Sequence, residues 1–184
     1  ELSEHLESRL NVENILGSGS FHLTTFRAGI VIGSGSASFE IIRDLVEKLP
    51  VMVAPKWLNT KCQPIGIRDV LEFLEKGLLN EKLYDGHFDI GGTDILTYKE
   101  MLIGYAEARN MKRWIYTVPV MTPKLSSYWL YFITSTSYKL ASSLVNSMKV
   151  EVICEPSNIN EITGIEPLSY EESLRFTLNA IDNK

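Results

Sequence analysis

Short apolar segments alternate with amphipathic segments along most of this chain, and that alternation restricts the fold more than any other feature. The stretch AGIVIGSGSASFEIIRDLVEKLP, residues 28–50, shows the unit as an apolar strand, a Gly/Ser loop and a helix. Further extended segments are predicted at VMVAP, CQPIGI, GHFDIGG, RWIYTVPV and KVEVIC. Strands that alternate with helices predict an α/β architecture with a largely parallel sheet.

Helices are predicted where apolar residues recur at helical spacing, beginning with residues 3–16. Thr97, with Glu100 three residues later, predicts a capping box, and Ser169 is the expected cap of the last helix. The segment RDVLEFLEKGLL, residues 68–79, has the pattern of an amphipathic helix. The residues of this helix that we expect to face the core are Val70, Leu71, Leu74 and Leu78.

Charge and cysteine content exclude several classes of protein. The net charge is −5 and no run of Lys or Arg occurs, whereas a nucleic-acid-binding protein normally carries a concentrated basic face. Cys62 and Cys154 lie far apart and match no metal or redox spacing, which fits a reducing cytoplasm. The histidines are equally scattered, at His5, His22 and His87. We therefore expect neither a nucleic-acid partner nor a metal site.

The charged N-terminal residues and one long apolar segment also need an interpretation. The first residues, ELSEHLESRL, are charged, amphipathic and without a Met, so we expect the chain to be a fragment of a longer cytoplasmic protein. Residues 125–145 are long enough to span a bilayer, but their hydroxyl side chains and Lys139 favour a buried or groove-lining helix. Contact of residues 122–148 with a membrane surface is the alternative.

The Gly/Ser loop after the apolar strand resembles a dinucleotide-binding turn only in part. Gly33 and Gly35 match the first two positions of Gly-x-Gly-x-x-Gly, but Ser38 occupies the third. The acidic residue expected about 20 positions later is also missing, since VMVAPKW stands there. Two interpretations stay open: a plain strand-to-helix turn, or a ligand-facing loop whose amides suit a phosphate.

Three segments together carry a resemblance to a known family. LTTFRAGIVIGSGS, QPIGIRDVLEFLEKGL and GHFDIGGTDILTYKEML follow one another in the order and spacing of late elements of extended or atypical short-chain dehydrogenases/reductases. This group of NAD(P)-binding proteins includes nucleoside-diphosphate-sugar epimerases and NmrA-like proteins. The chain resembles the C-terminal half only, over residues 3–118. The resemblance implies the later part of a Rossmann-type sheet for residues 1–118 and a small, mostly helical substrate lobe for residues 119–184.

The resemblance also implies a cofactor, NADP or NAD, in the full-length protein. The family's Gly-rich turn and ribose-binding acid precede the region that this chain resembles, so the chain alone should bind the dinucleotide weakly. The residues implied to contact the nicotinamide end are Ala28, Gly29 and Ile30. The residues implied to lie near the substrate pocket are Ser34, Gly35 and Ser36.

The family's catalytic Tyr-x-x-x-Lys lies on the helix before the late strand, where this chain has HLESR. The resemblance puts His5 at the Tyr position, as proton donor, and Arg9 at the Lys position, as a ribose clamp. The implied reaction is hydride transfer on a carbonyl compound or a sugar nucleotide. Alternatively, both are solvated residues on a surface helix, and the departure from Tyr and Lys fits a non-catalytic NAD(P)-binding sensor or assembly protein. A sheet edge left exposed by truncation would favour self-association.

Other residues receive mainly structural predictions. Arg27 is expected to pair with a carboxylate, Asp69 being the candidate, and a substrate role is the alternative; Asp69 is expected to anchor its helix. Gly91 and Gly92 are expected to form a turn that uses positive φ. The tryptophans expected in the core or a pocket wall are Trp57, Trp114 and Trp129. The residues expected to line an amphipathic groove are Ser126, Ser127, Tyr128 and Tyr131.

Overall fold

The computed structural model describes residues 4–118 and 146–183, and the chain is an α/β protein in which most strand pairs are parallel. Its helices are α1 (Glu4–Gly17), α2 (Ala37–Lys48), α3 (Ile67–Gly77), α4 (Tyr98–Ala108), α5 (Ile159–Thr163) and α6 (Tyr170–Asp182). Its strands are β1 (Thr25–Ala28), β2 (Ile30–Ile32), β3 (Val51–Pro55), β4 (Lys61–Cys62), β5 (Pro64–Gly66), β6 (His87–Ile90), β7 (Leu96–Thr97) and β8 (Trp114–Val118). Short 3-10 helices occupy Lys56–Asn59 and Glu81–Leu83. The predicted α/β class is confirmed.

Pairing of the strands joins segments far apart in sequence. β1 lies parallel to β6, β2 to β5 and β3 to β8, while β4 and β7 are antiparallel. Parallel neighbours require long crossover connections, and the helices between the strands provide them. The extended segment that ends before the Gly/Ser loop is not one strand but two short strands, separated by Gly29. At Gly29 the extended chain leaves β6 and takes β5 as its partner.

Two apolar clusters form the core of the described chain. The larger one lies between α2, α4, α6 and the strands, and its fully buried side chains include Ile32, Phe39, Met52, Leu58, Met101 and Tyr105. The smaller one surrounds Phe73 of α3 and contains Ile65, Leu83, Ile90, Ile159 and Ile165. Helix α5, which the sequence pattern did not reveal, contributes Ile159 to this second cluster.

Helix α3 turns a different face to the core from the one predicted. Phe73 is fully buried and Val70 packs beside it, but Leu71, Leu74 and Leu78 are 58%, 53% and 75% exposed. The prediction for these three leucines is therefore wrong. The physical reason is that Phe73 offers the larger apolar surface to Ile65, Leu83 and Ile90. Gly77, one turn later, has no side chain and lets Phe26 of β1 approach the helix closely.

The tryptophans have different environments. Trp57 is partly buried and packs against the larger core cluster, as expected. Trp114 is 54% exposed, because alternate residues of β8 point away from the core, so its prediction is wrong. Trp129 lies outside the described residues. So do most of residues 122–148 and the groove residues expected among them.

No helix within the described parts of the chain is long and apolar enough to cross a membrane.

Two buried or half-buried carboxylates anchor the start of α6. The Asp69 carboxylate accepts a hydrogen bond from the N–H of Leu168 at 3.1 Å, and Asp94 accepts one from the N–H of Tyr170 at 2.7 Å. The Tyr170 hydroxyl donates to the carbonyl of Met101 on α4 at 2.8 Å. The capping box predicted at Thr97 and the cap predicted at Ser169 are both confirmed, and Ser169 forms a capping box with Glu172. Asp69 thus anchors the start of the C-terminal helix, whereas the described start of α3, its own helix, has no side-chain capping hydrogen bond.

Burial of Asp69 has a consequence for pH dependence. Burial raises the pKa of the Asp69 carboxyl, and the N–H of Leu168 and the charge of Arg68 oppose this only partly. The folded-state pKa of Asp69 therefore lies above its unfolded-state pKa. The contribution of the protonated carboxyl to the free energy of unfolding is complete below the unfolded-state pKa and is lost as pH rises through the folded-state pKa. Asp69→Asn keeps an acceptor oxygen but cannot ionise. We expect the difference in free energy of unfolding, variant minus wild type, to increase as pH rises.

Urea unfolding at a series of pH values would measure this difference. Asp69→Ala is the control, since it leaves the N–H of Leu168 without its acceptor and should lose about 1–3 kcal/mol. A variant-minus-wild-type difference for Asp69→Asn that stays constant with pH would contradict the prediction.

Candidate functional site

The residues implied to contact a nicotinamide lie at the junction of β1 and β2. Ala28, the last residue of β1, and Gly29 are exposed, whereas Ile30 begins β2 and is buried. A Cβ added to Gly29 would lie 2.7 Å from Cγ1 of Val152, so the glycine allows Val152 to cover one side of the junction. Among the described strands β1 has one neighbour, β6, which leaves its other edge without a strand partner.

The charge pair beside this junction is not the predicted one. Arg27 donates to the carboxylate of Glu13 in two hydrogen bonds, Nε to Oε2 at 3.0 Å and an NH2 group to Oε1 at 2.7 Å. The predicted partner, Asp69, binds the backbone of Leu168 instead. The sequence pattern could not identify Glu13, because the pair joins α1 to β1 across the turn between them. This bidentate pair connects α1 to β1.

The surroundings of Arg27 are acidic. The hydrogen bonds from Arg27 hold the pKa of Glu13 below its usual value, against partial burial and with help from the charges of Arg27 and His87. Asp89 lies opposite Arg27 in the β1–β6 register, and its carboxylate accepts the N–H of Glu155 at 3.1 Å. Glu13, Asp89 and Glu155 all favour the charged guanidinium. Arg27 is therefore engaged in structural contacts, and no described feature supports its alternative role in substrate binding.

The proposed catalytic pair lies on α1, His5 near the start of the helix and Arg9 one turn later. Arg9 is exposed and takes part in no ion pair with the described residues. Glu13 follows one further turn along the helix and faces Arg27. The helical spacing of four residues puts these positions on one side of α1.

The Gly/Ser loop turns sharply between β2 and α2. Gly35 has φ of 85°, a conformation that favours glycine, and the N–H of Ser36 donates to the carbonyl of Gly33 at 3.1 Å. The N–H of Gly35 donates to the Glu40 carboxylate in the first turn of α2, at 3.0 Å. A carboxylate of the chain itself thus takes the hydrogen bond that a phosphate oxygen would take. This contact favours the plain-turn interpretation of the loop.

A cavity of about 710 Å³ lies between α3, α6 and this loop. Ser34 contributes to its wall, but Gly35, Ser36 and the β1–β2 junction do not. Arg68 stacks over the Phe176 ring at 4.9 Å. The other polar residues of the lining are Glu72, Glu75, Lys76, Ser173 and Thr177. Of the predicted substrate-pocket residues, the structure brings only Ser34 to this cavity.

Cysteine and metal chemistry have little support. Burial raises the pKa of Cys62 to about 12 and that of Cys154 to about 11, so neither thiol forms a nucleophilic thiolate near neutral pH. Within the described ranges no group of His, Cys, Asp or Glu residues has the arrangement of a metal site.

Sequence reasoning missed Gln63, whose hydrogen bonds hold the segment of Val152 and Cys154 beside the junction. The Gln63 side-chain amide donates to the carbonyl of Gly92 at 2.8 Å and accepts the N–H of Cys154 at 3.1 Å. The backbone of Gln63 also donates to the carbonyl of Val152 at 2.9 Å. No local pattern around Gln63 signals these contacts, since their partners lie far along the chain.

Gly92 has a different role from the one predicted. Its φ is not positive, because Gly35 and Gly164 are the described glycines with that conformation. A Cβ on Gly92 would instead lie 2.5 Å from the carbonyl oxygen of Pro64 and 2.8 Å from that of Leu168. Close approach of three backbone segments, and not a special turn, requires glycine here.

Comparison with known proteins identifies structures of similar fold but no related sequence family. No protein-family model matches the chain, and no curated protein matches it. Among solved structures, the chain is similar to a nucleoside-diphosphate-sugar epimerase from Staphylococcus aureus, with a TM-score of 0.66 and 13% identity. That alignment covers 90% of this chain and 56% of the epimerase.

Two further solved structures give the same result. The first is the NADPH-dependent quinone oxidoreductase of Escherichia coli, complexed with NADPH, with a TM-score of 0.68 and 11% identity. The alignment covers 94% of this chain and 59% of the oxidoreductase. The second is UDP-glucuronic acid 4-epimerase from Bacillus cereus, in complex with UDP-glucuronic acid and NAD, with a TM-score of 0.61 and 11% identity. This alignment covers 97% of this chain and 51% of the epimerase. The chain has the Rossmann-like fold of these epimerases and reductases. It spans about half of their length.

Proposed function

We propose that this chain forms the substrate-side part of an NAD(P)-binding oxidoreductase or nucleoside-diphosphate-sugar epimerase. Residues 1–118 supply the later part of the Rossmann-type sheet, and residues 119–184 supply a small substrate lobe. The shared fold with NADPH- and NAD-bound structures supports the cofactor, and the epimerases among them support a sugar nucleotide or another carbonyl compound as substrate. In this proposal the protein is soluble and cytoplasmic.

The observation that carries the proposal is the pair of hydrogen bonds between Glu13 of α1 and Arg27, the residue before Ala28. Arg9 precedes Glu13 by one helical turn, about 6 Å along the axis, and His5 precedes Arg9 by another. The three positions share one side of α1. This contact beside the β1–β2 junction supports roles for Arg9 and His5 at the cofactor.

The residues present fit the nicotinamide end of the cofactor better than its phosphates. Ala28 and Gly29 offer exposed main chain to a ring, whereas the loop amide at Gly35 already binds Glu40. NAD(P)H, when bound, supplies a hydride to the carbonyl carbon of the substrate. His5 gives a proton to the carbonyl oxygen, which becomes a hydroxyl, and Arg9 holds the ribose hydroxyls.

Non-catalytic binding of NAD(P), as in a sensor or assembly protein, is the second candidate. The presence of His5 and Arg9 in place of the family's Tyr and Lys favours it, because these side chains differ from the usual ones in shape and in hydrogen-bonding groups. The two candidates predict the same cofactor and differ in turnover.

Titration of NADPH and NADH separates these candidates. The longest natural protein that contains this chain and the 184-residue chain itself are compared, with energy transfer from tryptophan to the reduced nicotinamide as the readout. We expect binding by the longer protein only, weakened about tenfold by Arg9→Ala and unchanged by Arg175→Ala on the exposed side of α6. Binding by neither form would contradict the cofactor assignment.

Turnover then tests His5. With UDP-sugars and quinones as substrates, an enzyme should lose about 10²–10⁴ in rate on His5→Ala while still binding NADPH. Binding without turnover of any of these substrates would favour the sensor or assembly protein.

A further inference from the structure

The outer face of α3 carries a line of apolar side chains that the described residues leave exposed. Its members, here called the α3 stripe, are Ile67, Leu71, Leu74 and Leu78. The opposite face of the same helix already buries Phe73 in the smaller core cluster. Burial against its own domain therefore does not explain the stripe, and a contiguous exposed apolar patch marks a surface for association.

The spacing of the α3 stripe is that of a coiled-coil seam. Its residues follow one another at intervals of four, three and four, which correspond to positions d, a, d and a of a heptad repeat. Side chains at these positions form one narrow line along a helix and pack into the same line of a facing helix. We propose that the α3 stripe binds the α3 stripe of a second copy of this chain, with the two helices antiparallel about a twofold axis.

Twofold symmetry specifies the apolar contacts of this pair. A closed dimer uses the same patch on both subunits, so every contact occurs twice. With the axis between Leu71 and Leu74, Leu71 meets Leu74 of the second copy. Ile67 then meets Leu78 of the second copy at each end of the contact. Each member of the stripe thus has an apolar partner.

The charges beside the stripe favour this antiparallel arrangement. Arg68 follows Ile67 and Glu75 follows Leu74, so both occupy position e, on one side of the seam. In the antiparallel pair, Arg68 of one copy lies beside Glu75 of the other, and the twofold axis repeats this contact. Both residues are exposed, and neither forms an ion pair with any residue that the structure describes. Each charge is therefore available to a second copy.

A parallel pair of helices would not match these charges. Position e would then face position g, which Val70 and Gly77 occupy. Neither residue offers a charge to Arg68 or Glu75. The sequence of α3 therefore discriminates between the two orientations by its charges and not by its leucines.

Helix α6 extends the apolar surface at one end of the stripe. Phe176 is exposed, and Arg68 stacks over its ring at 4.9 Å, which places the ring near the Ile67 end of α3. The cavity of about 710 Å³ between α3 and α6 opens along the same side. In the antiparallel pair, Leu78 of the second copy arrives at this end. Leu78 is 75% exposed in the single chain and would be covered there.

Sedimentation equilibrium of the 184-residue chain tests the proposal, which does not depend on cofactor binding. The interface is small, so we expect a monomer–dimer equilibrium with a Kd of about 100 µM. Leu71→Gln should weaken it at least about tenfold, because each dimer loses two apolar contacts. Leu71 is exposed in the single chain, so this variant should retain its fold, and circular dichroism checks that it does.

Charge reversal then identifies the surface and the orientation. Arg68→Glu and Glu75→Arg should each weaken the dimer about tenfold, since each creates two contacts between like charges. The double variant restores both pairs with reversed sign and should dimerise within about threefold of the wild type. Lys112→Glu, on the connection before β8, is the matched control and should leave the Kd unchanged.

Three results would overturn the proposal. The first is a chain that remains monomeric at about 1 mM, tenfold above the expected Kd. The second is a dimer that the single charge reversals and Leu71→Gln do not weaken, because another surface would then hold it. The third is a double variant that dimerises no better than the single ones, because Arg68 and Glu75 would then not face each other.

Discussion

Replacing Phe73 with alanine should lower the free energy of unfolding by about 3–5 kcal/mol, a large fraction of the stability of a domain this size. Phe73 is fully buried at the centre of the smaller core cluster, where Ile65, Leu83 and Ile90 surround it. Its ring lies 6.0 Å from that of Phe26 on β1. Alanine would leave a cavity that the strands cannot fill, because their register is fixed by pairing.

The neighbouring residue provides a matched control. Leu74 is on the same helix but 53% exposed, so Leu74→Ala removes a similar kind of side chain without creating a cavity. We expect a change within about 0.5 kcal/mol for Leu74→Ala. Urea unfolding followed by far-UV circular dichroism measures both. Equal losses for the two variants would contradict the orientation of α3 described above.

The second large effect is expected for Gly92→Ala. The new Cβ would lie 2.5 Å from the carbonyl oxygen of Pro64 and 2.8 Å from that of Leu168. Both are backbone atoms, which cannot move aside as a side chain does. Gly92 also donates its N–H to the same carbonyl of Pro64 at 2.8 Å, so separation of the segments would strain that bond too. We expect a loss of about 3 kcal/mol in the free energy of unfolding.

Gly17→Ala is the control for this substitution. Its added Cβ would meet only Cδ2 of Leu23, at the ordinary contact distance of 3.8 Å. Alanine is also favoured over glycine in a helix by about 0.5–1 kcal/mol, so this variant should be as stable as the wild type or slightly more stable. Thermal unfolding compares the two. A Gly92→Ala protein with wild-type stability would refute the close approach of the three segments.

Much of the fold could be predicted from local sequence. The capping boxes at Thr97 and Ser169 depend on residues three positions apart, and both form. VMVAP is a strand over its whole predicted length, because β-branched and apolar residues occur between a helix end and Pro55. In each case the information that determines the structure lies within one turn or one strand.

The candidate site was less predictable, since its contacts join distant segments. The sequence predicted that Arg27 pairs with a carboxylate, but it did not identify Glu13, in place of Asp69, as that partner. The edge-to-face contact between Trp57 and Tyr98 likewise joins residues that are remote from each other in the chain. The roles of His5 and Arg9 rest on the family resemblance and stay predictions.

The sequence by itself determined that this protein alternates strands with helices, where two of its helices are capped, and that its strands pair mostly in parallel. These properties follow from hydrophobic periodicity and capping, which are local. Only the tertiary structure decided which face of α3 is buried, which carboxylate holds Arg27 and why Gly92 must be glycine. Each of these is settled by packing between segments far apart in the chain, where size and distance, and not pattern, select the partner.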